Sequence, residues 1–154
     1  MRPTLFTDIY SSFFSKITDD MYMELTKAQT EADAKDLFIN ALPHFEFPRV
    51  DIYNFDEEIE EYNIELSKEE INIIATYMVV EWIGRQLANI DLTRMQYSGS
   101  DFKFTSQANH LAKLTELKKV YTQKGFHLQR LYKRRKKDEK GIMRSTFGDI
   151  MNVN

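Results

Sequence analysis

The sequence predicts a mainly α-helical domain: a small helical bundle with a long C-terminal helix and an extended basic tail, with room for one short strand or hairpin. Three observations predict it. Apolar residues recur at three- and four-residue spacing through most of the first 131 positions. A serine-led capping box opens the most apolar of these segments. Only one short stretch, residues 49–55, alternates as a strand would. The chain has 154 residues, 42% hydrophobic and 29% charged, the size and balance of a single globular domain rather than a disordered one. At that length roughly two-thirds of the unfolded surface is buried on folding, so a core is affordable. Cysteine is absent, which removes disulfides, thiol catalysis and Cys-ligated metal from consideration. The densest apolar run, Ile71 to Ile83, is interrupted by Glu81 and is shorter than a membrane span. No signal-peptide core follows Met1, so the expectation is a soluble protein made inside the cell.

The first helix is predicted over 5–17, where Leu5, Phe6, Ile9, Tyr10, Phe13, Phe14 and Ile17 share a face and Asp19 and Asp20 end it. A second helix is expected over 30–42. Thr30 and Asp33 make a capping-box-like start, Ala34, Leu37, Phe38, Ala41 and Leu42 line one face, and Pro43 stops it. Between Pro43 and Pro48 the chain must extend or turn. Val50 and Ile52 alternate with Asp51 and Tyr53, which predicts a short strand over 49–55. The acidic run Asp56, Glu57, Glu58, Glu60, Glu61 reads as a solvated loop or helical turn. Ser67-Lys68-Glu69-Glu70 is a capping box that opens a helix over 68–90. Its stripe of Ile71, Ile74, Ala75, Met78, Val79, Trp82, Ile83 and Leu87 is broad enough for the central helix of a bundle. Residues 97–101 read as a turn, with Gly99 free to take positive φ. The last helix is expected over 105–137, with Leu111, Leu114, Tyr121, Leu128 and Leu131 in near-heptad spacing. Gly125 is its weak point, costing about 1 kcal/mol relative to alanine, so a bend or break is expected there. Residues 138–154 have little periodicity and are expected to be mobile on their own. Two regions follow: a helical body, 1–125, and a basic helix end and tail, 126–154.

Charge divides the chain. Residues 1–102 hold 8 basic and 20 acidic side chains, a net −12; residues 103–154 hold 13 basic and 4 acidic ones, a net +9. Such asymmetry points to an electrostatic partner, or to self-association in which one end of a subunit meets the other end of its neighbour. Arg130, Lys133, Arg134, Arg135, Lys136 and Lys137 crowd too closely for local acids to answer them all.

Catalytic chemistry is thin. His44, His110 and His127 show no metal-ligand spacing, and His110, near an apolar seam, reads as structural. Nucleotide-binding glycine loops and a nucleophile elbow are missing, and the carboxylates between Asp56 and Glu70 fit no EF-hand. The expectation is therefore a protein that is not an enzyme, without catalytic residues, metal ligands or cofactor. The suggestive chemistry is the basic cluster around Tyr132, which suits phosphates or an acidic protein surface, where arginine bonds carboxylates in bidentate fashion.

The capped helix running from Leu66-Ser67-Lys68-Glu69-Glu70-Ile71 to Trp82-Ile83 leads to the segment Tyr97-Ser98-Gly99-Ser100-Asp101-Phe102-Lys103-Phe104-Thr105 and then a long helix with a basic tail. In this layout, over residues 5–137, the chain resembles the head-to-tail connector (adaptor, or neck) proteins of tailed bacteriophages. The resemblance implies a structural virion protein that forms a ring, usually of twelve copies, beneath the portal. Such a ring extends the DNA channel, passes packaged DNA without reading its sequence, offers the tail or a further neck protein a docking surface, and helps retain the genome. It implies residence in the virion neck, host cytoplasm during assembly, and no membrane. On this reading residues 126–154 dock onto the portal. Arg130, Lys133, Arg134, Arg135, Lys136 and Lys137 supply charge complementarity, and Ile142, Met143, Phe147 and Ile150 are apolar anchors. The alternative from another class is a small helical nucleic-acid-binding or regulatory protein using the same basic helix. A third is an enzyme with a carboxylate-bound metal around Asp56–Glu70.

Overall fold

A computed structural model describes residues 2–17, 27–96, 101–137 and 140–146. Its axis is helix α3 (Lys68–Gln96), against which α1 (Phe6–Lys16), α2 (Lys27–Ala41) and α4 (Asp101–Lys133) all pack. Two antiparallel hairpins complete it: β1 (Phe55–Asp56) with β2 (Glu61–Tyr62), and β3 (Arg135–Lys137) with β4 (Met143–Ser145). The protein is a mainly helical bundle with a long C-terminal helix, as its apolar periodicity predicts.

The start of α3 follows from its first four residues. Ser67 Oγ accepts the Glu70 N–H at 3.1 Å, and the Glu70 carboxylate accepts the Ser67 N–H at 2.7 Å; each satisfies an amide that the first turn leaves without a helical partner. From Ile73 to Val80 every residue is buried, the pattern of a helix enclosed on all sides. Around it, α1 contributes Phe6, Ile9 and Phe13, and α2 contributes Leu37, Phe38 and Ala41. Phe6 lies 4.6 Å from Phe38 and 5.2 Å from Phe55 between ring centroids, within the range where tilted and edge-on aromatic contacts add to burial. α2 stops at Ala41 and passes into one 3-10 turn, Leu42–His44, because Pro43 has no N–H to continue the ladder.

The sequence-based boundaries need several corrections. Residues 49–54 form a loop. Asp51 accepts the Tyr53 N–H on its side chain (3.0 Å) and the Asn54 N–H on its carbonyl (3.1 Å), a turn that overrides the apolar alternation. The acidic run spans a hairpin, with Phe55 opposite Tyr62 and Asp56 opposite Glu61. α2 begins at Lys27, ahead of Thr30; α3 runs to Gln96, beyond Asp91; α4 begins at Asp101, ahead of Thr105. The turn expected at 97–101 lies outside the described residues except for Asp101, which is helical.

α4 runs unbroken through Gly125. The glycine serves close approach: a Cβ there would sit 2.6 Å from Tyr77 Cζ and 2.9 Å from its hydroxyl. α4 ends at Lys133, so Lys136 and Lys137 belong to β3, and Met143 of the tail belongs to β4.

Candidate docking surface at the basic end

The last two turns of α4 are fastened to the body by two buried polar residues. Gln129 uses its whole amide. Its oxygen accepts the Glu46 N–H at 2.9 Å, and its nitrogen donates to the His44 carbonyl at 2.9 Å and to the Tyr77 hydroxyl at 2.6 Å. Tyr132, 1% exposed, donates its hydroxyl to Glu70 at 2.9 Å and accepts the Arg49 N–H at 2.8 Å. The Arg49 side chain bonds the Tyr132 carbonyl and lies 4.0 Å over its ring. The carbonyl is one of those a helix C-terminus leaves open, so the arginine acts as a cap. Burial, reinforced by the neighbouring Glu70 carboxylate, pushes the Tyr132 phenol up to about 12, although the Arg49 N–H and charge pull the other way. Burial likewise raises Tyr77.

This fastening turns the opposite face of α4 outward. Glu46, Gln123, Lys124, Phe126, His127, Arg130 and Lys133 line an open groove there, with Gln129 at its base. Phe126 is 51% exposed and Phe47, beside the groove, 60%. Lys133 Nζ stands 3.8 Å from the Phe47 ring centroid, a cation–π contact that holds the ammonium at the rim. Lys124, Arg130, Lys133, Arg134 and Arg135 are all exposed. None of them is ion-paired among the described residues, where pairs join Lys35 to Glu60, His44 to Glu81 and Arg85 to Asp33.

Of the six cations singled out in the sequence, Arg130 and Lys133 line the groove. Arg134 follows the helix in a turn, its N–H bonding the Arg130 carbonyl at 3.3 Å. Arg135, Lys136 and Lys137 form β3, where Lys136 stands directly opposite Arg144 of β4. Of the four apolar anchors, Ile142 is 53% exposed between the strands and Met143 lies in β4; Phe147 and Ile150 lie outside the described residues. Tyr132, at the centre of the basic cluster in sequence, is packed into the core.

Phe47 and Lys124 lie outside the region that the sequence marks for docking, and Phe126 and His127 fall within it without being singled out as contacts. A signal was available for Phe126: it falls off the heptad stripe that carries Leu128 and Leu131, so an aromatic there is an apolar residue on a polar face. Among the described residues no cluster of His, Asp or Glu could hold a metal ion, and no helix is long and apolar enough to cross a membrane. Comparisons with protein-family models, with curated proteins and with solved structures find no match.

Proposed function

We propose that this protein is a structural connector of the phage-neck kind, which docks a partner through the basic end of α4 and the β3–β4 hairpin. The observation that carries the reading is the set of five exposed cations, Lys124, Arg130 and Lys133 on the last turns of α4, Arg134 in the turn after it and Arg135 in β3, none of them ion-paired among the described residues. A side chain that serves only solubility has no need of a buried Tyr132–Glu70–Arg49 fastening beneath it.

The partners on this reading are a portal ring on one side and a tail or further neck protein on the other. The connector itself forms a ring, with DNA passing through unread. A net −12 in residues 1–102 against +9 in 103–154 suits heterologous contacts, in which one flank of a subunit meets the other flank of the next.

The test is the mass of the purified chain, alone and mixed with a candidate portal. A ring-sized complex is expected on the portal, and Arg134→Glu with Arg135→Glu should abolish it. A chain ending after Lys133 keeps Gln129 and Tyr132 in the core and should fold while losing portal affinity; one ending after 125 would lose both anchors. A chain that ignores the portal but binds duplex DNA, with log affinity falling as salt rises, would replace this reading with the nucleic-acid one.

A further inference from the structure

The acidic turn between β1 and β2 is the counterpart of the groove. Asp56-Glu57-Glu58-Ile59-Glu60-Glu61 places five carboxylates in six residues around Ile59, which is 65% exposed. The groove has the opposite balance, with Lys124, Arg130 and Lys133 against the one acid Glu46 around the exposed Phe126. We propose that the groove receives the Asp56–Glu61 turn of a second copy of this chain, Ile59 seating on Phe126 and the carboxylates facing the cations.

The charges on both sides are available. Lys35 answers part of the turn, reaching the Glu60 carboxylate at 3.5 Å and the Glu57 carbonyl at 3.2 Å. Asp56, Glu57, Glu58 and Glu61 form no ion pair among the described residues. The turn is also held in shape. Glu60 takes a left-handed φ of 53°, its carbonyl accepts the Phe6 N–H at 2.9 Å, and Asp56 accepts the Glu58 N–H at 2.9 Å. A knob already ordered in the free chain loses little entropy on docking.

The contact is between copies. The turn is bonded to α1 and α2 through Phe6 and Lys35, whereas the groove belongs to α4 and residue 46, and no hydrogen bond or ion pair among the described residues joins the two. A duplex nucleic acid would answer the cations through its phosphates but offers Phe126 no apolar side chain. The turn of a sister subunit brings anions and an apolar tip together, one per groove. A sister subunit as the occupant rests on the connector reading, with Arg134, Arg135 and the β3–β4 hairpin left to the portal, and the experiment below separates the two.

The full chain is measured by sedimentation velocity over a range of concentrations at low salt, and again at about 0.5 M salt, where exposed charges are screened beyond a few ångströms. Association that rises with concentration and weakens with salt is expected. Glu57→Lys with Glu58→Lys, and separately Lys124→Glu with Arg130→Glu, should each weaken it about ten-fold or more, while an equimolar mixture of the two variants restores it. All four side chains are exposed, and circular dichroism confirms that each variant is folded. Ile59→Asp, which keeps the turn acidic, should weaken association through loss of the apolar contact. A wild-type chain that stays monomeric, reversed variants that assemble like wild type, or a mixture that stays apart would each overturn the proposal. Assembly into a ring untouched by these reversals would leave the connector reading standing without this contact. Reversal-sensitive assembly that closes as a pair would uphold the contact and remove the ring.

Discussion

Gly125→Ala separates two accounts of one residue by the sign of a stability change. If the glycine is only a tolerated weak point in a long helix, alanine stabilises by about 1 kcal/mol through helix propensity. The packing gives the opposite sign. The added methyl would lie 2.6 Å from Tyr77 Cζ and 3.0 Å from Cε1. The Tyr77 ring has little freedom to yield: it stacks on His44 at 5.0 Å and 6°, its hydroxyl accepts from Gln129, and it is 2% exposed. Overpacking of this kind costs about 1–3 kcal/mol, and displacement of the Tyr77–Gln129 bond adds about 1 kcal/mol. After the propensity gain is subtracted, a net loss of about 1–3 kcal/mol remains. For a domain of this length that lowers Tm by roughly 2–4 °C per kcal/mol. Urea unfolding followed by fluorescence of the single tryptophan, the buried Trp82, reads the change. A Gly125→Ala protein as stable as wild type, or more so, would refute the close-approach account. In a Tyr77→Ala background the same substitution should become stabilising, since the clash is gone and the propensity remains.

Two further perturbations test the fastening of α4. Tyr132→Phe removes the donor to Glu70 and strands the Arg49 N–H, for a loss of about 2–4 kcal/mol; a loss below about 0.5 kcal/mol in urea unfolding would mean the hydroxyl is not structural. At high pH, the phenol held at about 12 in the fold has an ordinary value of 10.0 when unfolded, and burial shifts Tyr10 and Tyr62 upward too. The neutral phenols therefore favour the fold fully below pH 10.0, and that advantage is lost as pH rises from there through about 12. The urea midpoint should fall across this window and fall less in Tyr132→Phe, whereas a flat profile would contradict it.

What was legible in the sequence was whatever one helix could settle for itself. Ser67 and Glu70 announce the start of α3 because the capping box is closed within four residues. The stripes of α1 and α3 announce their buried faces because 3.6-residue periodicity is local. The strand expected over 49–55 failed on a local competitor, the Asp51 side chain, which captures the Tyr53 N–H and turns the chain while Ile52 still faces the core. Both hairpins were illegible for another reason. β1 and β2 pair only two residues each, and β3 is three cations with no apolar alternation. Gly125 could be read only as a weak point of its helix, since its reason is a ring 48 positions away. For the candidate site, the cations were visible as a run, but the groove needed Phe126 and Phe47, separated by 79 residues, to be seen together.

The carboxylate of Glu70 is shared. One oxygen holds the amide that begins α3 and the other holds the hydroxyl near the end of α4. The first turn of one helix and the last turn of another therefore behave as a single joint rather than as two loose ends. Helix ends ordinarily fray, but opening this one breaks a bond to the same carboxylate that caps the central helix. A pull on the hairpin beyond Lys133 is thus felt at the first turn of α3 and not by α4 alone.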